Sequence, residues 1–290
     1  MQHLIEHYFG ISPDTSASLL ITLFTFIIGY VITAIVFIVS RFNKRRSHRK
    51  IFIDNLQNLT KSVQKQEKAF LETIKSLDII ANSPWEYTKA DFFQISVFRE
   101  MSYQESFKSF FLGFENQLSF ANKKLKRRAF NRVWENLSNI NFWSDQAFNN
   151  FYPTLDKFNE HGLKRNYALT ELRKMWEQLY SINRANLTTE HLSYIKELDL
   201  ITSSFQKIPT QKRVNPFTVN RKLILPIKIL NRKYIHIPGV MQFNDKASEV
   251  GTHYHEMEIL LRHTRDQYKI FYYSFRNIAA VNRKIISILK

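Results

Sequence analysis

Side chains able to ligate a metal or move a proton crowd together in the stretch HYHEMEILLRH, which offers His253, His255, Glu256, Glu258 and His263. Metal binding needs its ligands on one face. A helix turns about 100° per residue, so His253 and His255 diverge by about 200° while His255 and Glu258, three apart, can converge. The order is not HExxH, which brings two imidazoles together. The stretch reads as the solvated start of a helix, and neither a metal site nor a catalytic residue is assigned to it.

Other chemistries lack their parts. The chain has no cysteine, which removes disulfides, thiolate zinc sites and thiol nucleophiles. Its six glycines are about 2% of the residues where about 7% is usual, and no GxxxxGK[ST] or GxSxG motif occurs. The 25 acids are outnumbered by 42 Lys and Arg and are scattered, so no carboxylate pair stands out. The expectation is no cofactor and no enzyme.

Positive charge is the dominant chemical feature, and it is clustered. Arg41, Lys44, Arg45, Arg46, Arg49 and Lys50 form one group; Lys123, Lys124, Lys126, Arg127, Arg128 and Arg132 form a second, beside Phe130 and Trp134. Basic side chains near a charged leaflet each contribute about 1 kcal/mol to its attraction. Basic residues interleaved with aromatics also suit single-stranded nucleic acid. For the second group an anionic lipid surface, a plain solvated face and nucleic acid all remain open.

The first group gains meaning from what precedes it. Leu19 to Val39 is an apolar run of 21 residues without a charge, about 31 Å as a helix and close to the hydrocarbon thickness of a bilayer. Thr22, Thr25 and Thr33 within it can return their hydroxyls to helix carbonyls. A cleaved signal peptide would carry its positive charge before a shorter apolar region. Here every Lys and Arg follows the run, and 23 of the 25 acids do too, an excess of 19 positive charges on one side. The positive-inside rule then places the N-terminus outside and the body in the cytoplasm.

Downstream, Ile51 to Ala81 contains no Pro or Gly and repeats apolar residues at Phe52, Leu56, Leu59, Val63, Phe70, Ile74 and Leu77, with Gln66 at one seam position. This predicts that the anchor continues into a long amphipathic helix, stopped by Ser83 and Pro84. A second helical stretch is expected from about Trp85 to Val133, its phenylalanines, Phe114 among them, serving as core. If it returns antiparallel, residues 123–132 arrive back at the headgroups. The pattern thins between Asn139 and Pro153, resumes from Leu169 to Ile182, pauses at RANLTT with Thr189 as N-cap, and resumes again from Leu192 to Leu198.

From Leu200 to Asn244 there is no acid, and Pro209, Pro216, Pro226 and Pro238 fall within it. Lys222–Ile227 and Tyr234–Ile237 could pair as a small hairpin, or the segment could be an irregular basic arm. The last segment places Met257, Leu261, Thr264, Tyr268, Phe271, Phe275, Ile278, Asn282, Ile285 and Leu289 at alternating spacings of four and three. Such a seam needs a partner helix, either the helix after the anchor or a second copy of the chain.

SVQKQEKAF (Ser62 to Phe70) and YSINRANLTTEHLSYI (Tyr180 to Ile195), following an N-terminal membrane segment, resemble the phage abortive-infection membrane proteins of bacteria. The later motif is matched by Arg184, Ala185, Leu187, Thr188 and Leu192. The resemblance implies a defence role and carries no catalytic residues.

The expected architecture is mainly α: a short outer N-terminus (1–18), a single transmembrane helix (19–40), a cytoplasmic helical region (41–206), a basic proline-containing extended or β segment (207–243), and a long C-terminal helix (244–290) completing a bundle. The expected function is that of a membrane-anchored interaction protein, a scaffold, sensor or effector of the bacterial cytoplasmic membrane. Its expected partners are the bilayer and its anionic headgroups, with a protein partner or self-association. A membrane-tethered nucleic-acid-binding module is the alternative, and an unrecognised enzyme the more distant one.

Overall fold

A computed structural model describes residues 7, 10, 12–78, 87–112, 122–181, 188–213 and 215–290. These are mainly helical, and no strand occurs among them. The helices are α1 (Pro13–Asp78), α2 (Phe93–Glu100), α3 (Tyr103–Phe111), α4 (Lys123–Ser181), α5 (Thr189–Gln206), α6 (Thr210–Arg213), α7 (Pro216–Val219), α8 (Leu225–Lys233) and α9 (Val240–Leu289), with a π-helical turn at Asn220–Ile224 before α8.

α1 is uninterrupted from the apolar run into the amphipathic stretch. Among the described residues one helix, at the N-terminal end, is long and apolar enough to cross a membrane, and none of its most apolar window is buried. The hydroxyls of Thr22, Thr25 and Thr33 donate to the carbonyls of Ser18, Ile21 and Gly29, each at 2.8 Å, so these three side chains need no water. Beyond it the predicted seam is buried from Phe52 to Leu77. Ser83, Pro84, Phe114 and Ile182, and most of the RANLTT stretch, lie outside the described residues.

The chain forms two compact units, each from separated stretches. The first draws on Met1–Leu59, Phe92–Trp134 and Asn282–Lys290, the second on Thr60–Asp91 and Glu135–Val281.

In the first unit Phe52 of α1 is the hub of an aromatic core. Its ring meets Phe98 at 5.0 Å and Phe110 at 5.2 Å edge-on, and stacks on Phe130 at 5.5 Å. Such pairs add about 0.5–1.5 kcal/mol each beyond the area they bury. The phenylalanines are core, as expected, but they do not lie on one long helix. Tyr87 to Phe92 is not helical, and the chain breaks again at Met101 and Ser102. Two short helices, α2 and α3, thus replace the single returning helix, because the aromatics converge on Phe52 from three directions.

In the second unit Phe70 of α1 packs against α9, 5.7 Å from Tyr268, 5.7 Å from Phe271 and 5.1 Å from Phe275. Gln66 is buried in the same seam, and both its amide nitrogen and its oxygen are bonded. Its amide nitrogen donates to the Thr88 carbonyl at 3.2 Å, and its oxygen accepts the Ala90 N–H at 2.5 Å.

α4 corrects a second expectation, since it runs through Pro153 without ending. Its buried positions, Phe130, Val133, Leu137, Ile140, Ser144, Ala147 and Phe151, keep the spacing of three and four. The pattern only seemed to thin because small Ser144 and Ala147 hold the inner face while Phe142, Phe148 and Tyr152 point outward. Pro153 lies on the exposed face, where water can satisfy the carbonyl its missing N–H leaves free. The Thr154 hydroxyl donates to the Asn150 carbonyl at 2.7 Å in the same turn.

The expected hairpin or irregular arm at 207–243 is helical instead. Val219, Ile224, Ile227, Leu230 and Tyr234 are buried in one core with Tyr194, Leu198, Phe243 and Val250, a helical spacing that the β-branched composition masked. Pro226 is the second residue of α8 and follows the π turn without a break, so its missing N–H leaves one carbonyl of that turn without its helix bond. The five-residue step from Val219 to Ile224 is taken up by the π turn, and Ile224 lies over Gly251, where an added Cβ would stand 3.3 Å from it. Gly239, at φ +86°, makes the turn into α9. The cap of α5 is Thr188, one residue before the predicted Thr189; its hydroxyl accepts the His191 N–H at 3.3 Å.

Candidate functional site

The two basic groups separated by some eighty residues of sequence meet in the first unit. A pocket of about 440 Å³ is lined from α1 by Phe42, Arg46, Arg49 and Ile53, from α3 by Phe110 and Phe111, from α4 by Lys123 and Lys126, and at the chain's last residues by Leu289 and Lys290. Helical geometry explains which members of each group arrive. Arg46, Arg49 and Ile53 are three and four apart on α1, and Lys123 and Lys126 are three apart on the first turn of α4, so each set shares a face. Five cationic side chains and no acidic side chain line the pocket.

The remaining basic residues are placed elsewhere. Arg41 lies over the Phe37 ring at 4.2 Å, and Arg127 over the Phe107 ring at 5.6 Å. Lys44, Lys50, Lys124, Arg128 and Arg132 are exposed, and Arg45 is half-buried. Phe130, named in sequence beside the second group, is fully buried in the aromatic core and offers no face on which a base could stack.

The histidine-rich stretch is resolved differently from its expectation. It is not a helix start, because α9 begins at Val240. Glu258 is 7% exposed and turned onto arginines, with Arg262 at 2.5 Å and Arg221 at 3.5 Å. It therefore does not converge with His255, which is exposed. Among the described residues no three His, Cys, Asp or Glu side chains are grouped to hold a metal ion. His253 instead meets His161 of α4, Nδ1 to Nδ1, at 3.3 Å. Sequence gave no signal for that pair, whose members lie far apart along the chain. Burial, reinforced by His161, holds the His253 pKa below its ordinary value.

The C-terminal seam residues Phe271, Phe275, Ile278 and Asn282 are all buried. Burial also pushes the Tyr87 phenol up to about 12 and raises Tyr194 and Tyr268. Tyr194 and Tyr268 act as neutral donors, to the Asn231 side chain at 2.9 Å and the Ala147 carbonyl at 3.3 Å.

The pocket's apolar wall was not legible in advance. Phe110 and Phe111 read as core, and Lys290 as a chain end. No protein-family model, curated protein or solved structure matches this chain.

Proposed function

We propose that the protein is a single-pass protein of the bacterial cytoplasmic membrane, N-terminus outside, whose helical body works in the cytoplasm by interaction, as scaffold, sensor or effector. The observation that carries this reading is the unburied run Leu19–Val39 on a helix that continues without a break into basic and then packed sequence. An apolar surface of that length left uncovered by its own chain calls for lipid, and the one-sided charge supports the orientation. Convergence of the two basic groups in one pocket supports anionic headgroups as partners. The Tyr180–Ile195 motif supports an effector role in phage defence.

The absence of cysteine makes the orientation directly testable. Ser12 and Asn58 are exposed on opposite sides of the run. On intact cells a membrane-impermeant thiol reagent should label Ser12→Cys and spare Asn58→Cys until the cells are opened. Labelling of Asn58→Cys alone on intact cells would invert the orientation and remove the body from the cytoplasm.

A further inference from the structure

We propose that the pocket between α1, α3 and α4 binds one phospholipid headgroup bearing at least two negative charges on phosphate. The proposal rests on the membrane reading above and gives it a discrete site.

Charge is the first argument. Arg46, Arg49, Lys123, Lys126 and Lys290 share the lining of about 440 Å³ with no Asp or Glu. Like charges so gathered repel, and a compact dianion relieves several of those repulsions at once where a single monovalent counter-ion relieves few. Arginine supplies paired donors that fit phosphate oxygens, and lysine adds mobile point charges.

The second argument is the apolar part of the lining. Phe42, Ile53, Phe110 and Phe111 give the pocket apolar surface alongside the charges, which suits an amphiphile better than a fully hydrated anion. Depth is the third. At about 1.5 Å per residue, Phe42 stands about 5 Å and Arg46 about 10 Å along α1 from Val39, so the pocket begins within or just beyond the headgroup layer. A lipid can enter it without leaving the bilayer.

The test uses the full chain in phosphatidylcholine nanodiscs containing a minor fraction of the two-phosphate lipid cardiolipin, with retained lipid counted by native mass spectrometry. Two double variants remove equal charge: Arg46→Gln with Lys126→Gln in the pocket, and Lys124→Gln with Arg128→Gln outside it. Wild type and the outside variant should each retain one cardiolipin, whereas the pocket variant should lose at least about thirtyfold in affinity, as expected for losing two cationic contacts with an anionic headgroup. Arg46→Lys with Lys126→Arg, which keeps the charge, should retain the lipid. Excess pyrophosphate should leave cardiolipin bound.

Equal loss in both Gln variants would overturn the site in favour of diffuse attraction. Displacement of cardiolipin by pyrophosphate, or by a single-stranded oligonucleotide, would overturn the lipid as ligand and assign the pocket to a soluble phosphate or to nucleic acid. Because the pocket variant should still insert in the membrane with unchanged thiol labelling, failure here is distinguishable from failure of the membrane reading.

Discussion

The rings of Phe70 and Phe275 meet edge to face, centroids 5.1 Å apart and planes at 74°. Both are fully buried, and they join the helix that follows the apolar run to the last helix of the same chain. The strict seam of α9 thus has an internal partner over this stretch.

Phe275→Ala should therefore lower the stability of the protein by about 3–5 kcal/mol, the usual cost of truncating a packed phenylalanine. Chemical denaturation followed by circular dichroism measures it, and light scattering should show the oligomeric state unchanged. A variant that keeps its midpoint but becomes a smaller species would show that the seam joins chains.

Gln66 predicts a local effect. Gln66→Leu keeps side-chain volume in the seam but orphans the Thr88 carbonyl and the Ala90 N–H, at a cost of about 1–3 kcal/mol. Hydrogen exchange at Ala90 should accelerate well before exchange in α1 around Phe70. Unchanged protection at Ala90 would mean that the glutamine does not hold that segment.

The His161–His253 contact needs at least one neutral ring, since two imidazolium groups have no acceptor between them. Because the folded pKa of His253 is depressed, stability is unaffected above the unfolded value of about 6.5. It should fall as pH drops from there toward the lower folded value, as the unfolded chain takes up the proton first. Lys164 adds to the depression, and Glu249 and Glu256 oppose it. His253→Gln should flatten the melting temperature between neutral pH and mildly acidic pH, by less than one proton's worth of slope. An identical pH profile in wild type and variant would remove the pair as the source.

Long-range periodicity was legible wherever large apolar residues marked it. The α1 seam from Phe52 and the α9 seam to Leu289 are buried at the positions the spacing named. The reading faltered where a seam held small residues, as at Ser144 and Ala147, and where Pro153 sat on an outward face that tolerates it. It erred at 207–243 because isoleucine-rich stretches satisfy both strand and helix periods, and contacts with Tyr194 and Val250 chose the helix. The two basic groups were each visible in sequence. Their approach followed only on the supposition of one long antiparallel return, and the pocket they share did not, because it depends on where the aromatic residues of α2 and α3 bring the chain back to Phe52.

The unbroken course of α1 from Leu19 to Phe52 fixes an angular phase. The side of the apolar run that meets a given lipid or neighbour and the side on which Arg46 and Arg49 open are locked together as marks on one screw. One residue inserted between Val39 and Phe42 would turn the pocket by about 100° about the helix axis and raise it about 1.5 Å. Seven would restore the angle to within about 20° but carry the pocket roughly 10 Å farther from the apolar run. Bearing and height can therefore be varied separately, by the number of residues inserted at one point of the chain.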